Sequence, residues 1–147
     1  MNIREAIKHK ILILDGAMGT MVQSYGLTEE DFRGTLKLPS IITFKGNNDM
    51  LNITKPDIVL DIHRRYLRAG ADIIETNTFS SQRISQADYH LQSMAREMAL
   101  RGAQLARQCA DEFSNEDKPR FVAGSIGPTN RTLSISPDVN DPSKRDL

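Results

Sequence analysis

Three short polar clusters carry the chemistry that this chain's residue types and spacings could support. The first, Asp15-Gly16-Ala17-Met18-Gly19-Thr20, follows the apolar run Ile11-Leu12-Ile13-Leu14 and opens an apolar-periodic stretch, so a carboxylate sits where strand becomes helix. Gly16 and Gly19 permit a tight turn and close backbone approach, and the free N–H groups of Ala17 and Met18 begin a helix whose positive end can hold a carboxylate. Asp15 beside them can accept an ammonium group. A carboxylate pocket next to an ammonium acceptor makes a seat for an α-amino acid. An Asp-Gly turn of this kind also serves as a plain connection, and the residues alone leave both readings open.

The second and third clusters, Glu75-Thr76-Asn77-Thr78 and Gly127-Pro128-Thr129-Asn130-Arg131-Thr132, each follow a further apolar run. If the three runs are parallel neighbours in one sheet, all three clusters lie at one rim, which is where α/β folds keep their sites. Any one of them is an ordinary way to finish a strand; their coincidence is the argument. His9, His63 and His90 are scattered without metal spacing, and Cys109 is the sole cysteine, so this chain by itself offers neither a disulfide nor a multi-cysteine metal site. Gly16-Ala17-Met18-Gly19 lacks the following Lys of a phosphate-binding loop.

The elements that must position these clusters alternate between strand and helix signals, which predicts βαβ units and a parallel sheet. Ile11 to Leu14 reads as the first strand and about Ala17 to Tyr25 as a short helix, followed by a long irregular stretch from Gly26 to Ile53. So long a connection within a compact domain is usually functional. Thr54 reads as an N-cap, with Pro56 in the first turn and Asp57 three residues beyond the cap, of a helix that runs to Ala69 and stops at Gly70. Ile58, Val59, Ile62, Tyr66 and Ala69 share its apolar face, while Asp61, Arg64, Arg65 and Arg68 share a solvated one. Asp72 to Asn77 reads as the second strand. A long helix then follows, broken near Tyr89-His90, with a core stripe of Leu91, Met94, Ala95, Met98, Gly102, Leu105, Ala106, Cys109 and Phe113. Phe121 to Ile126 is the third strand, and the tail beyond it is turn-rich.

A length of 147 residues with 39% hydrophobic and 26% charged residues is enough for one domain with a substantial core. Nineteen basic residues balance nineteen acidic ones, which leaves no electrostatic footprint for nucleic acid or an anionic membrane. The run Ile11 to Leu14 is too short for a bilayer span or a signal core, and a single cysteine fits a reducing cytoplasm.

Asp15 to Thr20, Lys45-Gly46-Asn47-Asn48-Asp49, Gly70 to Phe79, Gly127 to Thr132 and Ser134 to Pro142 together resemble the N-terminal, homocysteine-binding part of the cobalamin-dependent methionine synthases, within the homocysteine S-methyltransferase family. The resemblance covers nearly the whole chain. It implies the first βα units of a (β/α)8 barrel, a fold that needs about 250 residues where three strands are recognisable here. It further implies that zinc, held by cysteines on later strands, activates homocysteine as a thiolate for attack on the methyl group of methylcobalamin, which methyltetrahydrofolate regenerates in neighbouring domains. By position, the resemblance puts Asp15 and Glu75 near the substrate ammonium, the backbone of Gly16, Ala17 and Met18 at its carboxylate, and Thr76 and Asn77 as second contacts.

Residues 1–147 are thus expected to be an incomplete homocysteine-binding domain whose partners are homocysteine, the rest of the barrel, and folate and cobalamin domains. No catalytic residue, zinc or cobalamin is expected on this chain alone. The alternative is a non-catalytic barrel fragment that binds an amino acid weakly or associates with a partner chain, or part of a homocysteine methyltransferase with another methyl donor. The chain by itself is expected to associate or pack loosely, with Gly26 to Ile53 the least protected segment.

Overall fold

The computed structural model describes residues 2–132 and 135–145, so Ser134 of the last motif lies outside the described residues. The described helices are α1 (Ile3–Ala6), α2 (Met18–Gln23), α3 (Glu29–Arg33), α4 (Leu51–Thr54), α5 (Pro56–Ala69), α6 (Arg83–Gln86) and α7 (Ala95–Phe113). The strands are β1 (Ile73–Glu75) and β2 (Phe121–Ala123), and single 3-10 turns cover Asn48–Met50 and Ala87–Tyr89.

β1 and β2 pair in parallel with Ile73 opposite Phe121, Ile74 opposite Val122 and Glu75 opposite Ala123. On the other side of β1, Leu14 makes one isolated parallel bridge to Ile73. The expected strand Ile11 to Leu14 is therefore reduced to that bridge, and the expected three strands to two and a bridge. The physical reason is lack of cover, since Ile11, Ile13 and Leu14 are 87%, 57% and 49% exposed. What holds the segment is Asp72, whose carboxylate accepts from Ile13 N at 3.0 Å and from Lys10 Nζ at 2.7 Å. Asp72 N in turn donates to Ile13 O at 2.8 Å. Burial alone would raise the Asp72 carboxyl, but these donors outweigh it and hold the pKa below the ordinary value.

Helices α5 and α7 pack against each other, and both reach the sheet. The α7 stripe is core as its spacing predicts, with Met98, Leu105, Ala106 and Cys109 buried. Gly70 ends α5 at φ 111°, a conformation that favours glycine. Two details of α5 differ from expectation. Thr54 does not cap it: Thr54 closes α4, its hydroxyl bonded back to Met50 O at 3.3 Å, and Pro56 at the start makes do without a side-chain cap. Ala69 is exposed, and Leu67 and His63 take the buried positions instead. Asp61 does pair with Arg65 on the solvated face, at 3.2 Å.

The stretch from Gly26 to Ile53 is folded rather than loose. Thr28 and Asp31 form a reciprocal capping box on α3, and Glu29 accepts from Phe44 N at 2.8 Å and Lys45 N at 2.8 Å. Phe32, Phe44, Met50 and Leu51 are buried in the larger core cluster, which corrects the reading of this segment as irregular throughout. Its apolar residues keep no single helical or strand period across the segment, and it is their burial in the core that reveals them.

Candidate functional site

Because Leu14, β1 and β2 run parallel, the residues that follow each of them leave the sheet on one side. A cavity of about 600 Å³ opens there, lined by residues 15–19, 46–49 and 75–80 with Tyr89 and Ser125. All seven residues singled out from the sequence, Asp15, Gly16, Ala17, Met18, Glu75, Thr76 and Asn77, line it. The third cluster, Gly127 to Thr132, does not. Gly127 and Thr129 face a neighbouring hollow that shares Thr76, Thr78 and Ser125 with the main cavity.

Asp15 is bound to the sheet twice: its N–H donates to Ile73 O at 2.9 Å, and its Oδ2 accepts from Glu75 N at 3.0 Å. Its Oδ1 is buried and has no hydrogen-bond partner. Burial, with the Glu75 charge adding to it, pushes the Asp15 carboxyl up to about 6 despite the Glu75 N–H. An anionic oxygen held in this state is an acceptor waiting for a donor, and a cation satisfies it best.

The rest of the rim is braced by buried side chains. Asn77 donates to Asn48 O at 2.8 Å and to Asn52 Oδ1 at 3.0 Å, while Asn52 donates to Asn77 O at 2.7 Å and to Met98 O at 3.0 Å. Thr76 Oγ1 accepts from Ser125 N at 3.0 Å and shares a hydrogen with Thr78 Oγ1 at 2.6 Å. Thr76 and Asn77 therefore line the cavity and hold its wall together. Asn47 and Gln86, both buried, exchange amide bonds at 2.8 and 3.0 Å.

Sequence reasoning placed no role on Asn47, Asn48 or Asp49, yet the turn they form supplies one wall. Asp49 is 4% exposed, and its Oδ2 accepts from Ser80 N at 2.9 Å and Ser81 Oγ at 2.6 Å. Burial outweighs those bonds and raises its carboxyl. The signal available in the sequence was a Gly-Asn-Asn-Asp cluster inside a connection too long to be idle.

The model of the family described as homocysteine S-methyltransferase matches residues 12–147. This chain belongs to that family.

Among solved structures, this chain is similar to the homocysteine methyltransferase MmuM from Escherichia coli. The metallated form superposes with a TM-score of 0.66 at 21% identity, covering 86% of this chain and 41% of that one. The oxidized form gives 0.67 at 23% identity, covering 86% and 40%. The chain thus spans about two-fifths of the length of the enzyme it matches, and the likeness is one of fold.

A bound metal is a separate question, decided by the residues themselves. Among the described residues no three of His, Cys, Asp and Glu come together as a metal site. Cys109 lies in the core beside Leu60 O at 3.6 Å, its thiol pushed up to about 11 by burial. The described residues do not fit zinc.

Proposed function

We propose that the cavity is the amino-acid end of a homocysteine seat, in a protein that transfers a methyl group to the homocysteine sulfur and yields methionine. The observation that carries this reading is the buried, unpartnered Asp15 Oδ1 on the cavity wall. A substrate ammonium supplies the donor it lacks. Glu75, whose carboxylate receives no hydrogen bond among the described residues, adds a second negative charge on the same wall. The Gly16-Ala17-Met18 backbone lies beside Asp15 for the substrate carboxylate, and Thr76 and Asn77 form the neighbouring contacts. Family membership supports homocysteine as the amino acid.

In this reading the chain's residues bind and orient the substrate, and catalysis lies outside them. Residues 1–147 form the N-terminal portion of a homocysteine-binding domain, the first βα units of a (β/α)8 barrel; a match to about two-fifths of a homocysteine methyltransferase agrees with this. Zinc, were it held by other residues of the intact protein, would supply thiol activation there; that, methyl supply from cobalamin and folate domains, and a cytoplasmic setting belong to the same proposal. They rest on the Gly46 to Asp49 and Gly127 to Thr132 motifs and on the single buried thiol. The test is calorimetric titration of L-homocysteine into the intact protein that carries this chain. Asp15→Asn should weaken binding by about tenfold or more, the worth of a charge-assisted hydrogen bond. Equal affinity in the variant would remove Asp15 from the seat.

A further inference from the structure

Tyr66 reads in sequence as one more apolar-face residue of α5, yet its phenol reaches past the core to the turn that carries Asp15. Its hydroxyl donates to Ala17 O at 3.1 Å. The ring lies against Gly16 so closely that a Cβ there would meet the hydroxyl at 3.1 Å and a ring carbon at 3.2 Å. A side chain at Gly16 would therefore require the phenol to give by a few tenths of an ångström. Among the described residues no side chain caps α2 at its N-cap Ala17, whereas the Asp15 side is fastened to β1 by two hydrogen bonds. Burial first, and the nearby Asp15 charge after it, hold the phenol above its ordinary range. Tyr66 itself does not line the cavity.

We propose that Tyr66 is a positioning residue for the amino-acid seat: its hydroxyl holds the Ala17–Met18 peptide while its ring abuts Gly16, and together they fix the turn that carries Asp15 and keep its carboxylate aimed at the substrate ammonium. This rests on the homocysteine reading given above. A planar trans peptide held at its carbonyl oxygen cannot rotate without breaking that bond, so one hydroxyl sets the orientation of the Ala17–Met18 linkage. The role is indirect, and the expected effect is correspondingly smaller than that of losing Asp15.

The experiment is titration of two thiols into the intact protein with and without Tyr66→Phe, which keeps the ring and removes only the hydroxyl. One thiol is L-homocysteine, and the other is 4-sulfanylbutanoate, which has the same thiol and carboxylate without the ammonium. L-homocysteine should bind about fivefold more weakly to the variant, the range of one net hydrogen bond, and 4-sulfanylbutanoate, which keeps only the carboxylate contact to the same backbone, should lose clearly less. An unchanged L-homocysteine affinity overturns the proposal. So does an equal loss for both thiols, which would indicate general loosening. Gly16→Ala supplies an independent check, because its penalty should shrink in the Tyr66→Phe background, and strictly additive penalties would count against the contact. If the unaltered protein binds no L-homocysteine, the functional reading itself fails and this proposal falls with it.

Discussion

Asp15 and His63 are both buried titratable groups, and they pull stability in opposite directions. The folded state raises Asp15 from 3.8 to about 6, so its ionised form costs stability above about pH 6, and that cost fades as pH falls toward 3.8. Asp15→Asn removes the cost. Its melting temperature at pH 8 should therefore equal or exceed that of the unaltered protein while homocysteine binding weakens. Binding in the unaltered protein should also decline as pH drops through about 6, because a protonated Asp15 no longer attracts an ammonium. His63 is fully buried with neither ring nitrogen partnered, and burial lowers it from 6.5 to about 4. Its stability contribution is complete above 6.5 and is lost as pH falls toward 4. In the unaltered protein the two slopes oppose each other between about pH 4 and 6. Urea denaturation across pH should thus show a steeper acid-side loss in Asp15→Asn, and parallel curves would contradict the opposition.

At the scale of elements, α7 and the end of β1 meet so tightly that Gly102 has no room for a side chain. A Cβ there would stand 2.6 Å from Thr78 Cγ2 and 2.7 Å from Asn52 Nδ2, both tied into the rim. Gly102→Ala should cost roughly 1–3 kcal/mol, the usual range for overpacking, read as a lower denaturation midpoint. The sequence reveals the α7 stripe and the stop at Gly70, because helical periodicity and glycine conformation are local properties. It does not reveal that Gly102 is the point of contact with Asn52, which depends on residues fifty positions apart. The same division applies to the site. Polar residues after each apolar run are visible as a pattern, so the residues around Asp15 and Glu75 can be grouped in advance. The wall from Asn47 to Asp49 cannot, since it depends on buried amide pairing with Asn77 and Gln86. Thr54 shows the reverse failure: a good capping residue before a proline was preempted by a short helix that ends on it.

For the molecule as a whole, the sheet is narrow and its edges are open. Ile11 and Ile13 are exposed on one side and Ile126, 93% exposed, follows β2 on the other. Such apolar edges drive association. Among the described residues no helix is long and apolar enough to cross a membrane, so a bilayer-spanning helix is not what these residues provide. Sedimentation of the 147-residue chain should show self-association at micromolar concentration, and Ile11→Lys with Ile126→Lys should reduce it. Hydrogen exchange should find Phe44, Met50 and Leu51 protected within the long connection, as their burial requires. The central claim is that this rim seats the ammonium of homocysteine on Asp15. A crystal structure of the intact protein with L-homocysteine tests it most directly. The account predicts the substrate nitrogen within hydrogen-bond distance of Asp15 Oδ1, and a substrate bound elsewhere, or with its ammonium turned away from Asp15, would contradict it.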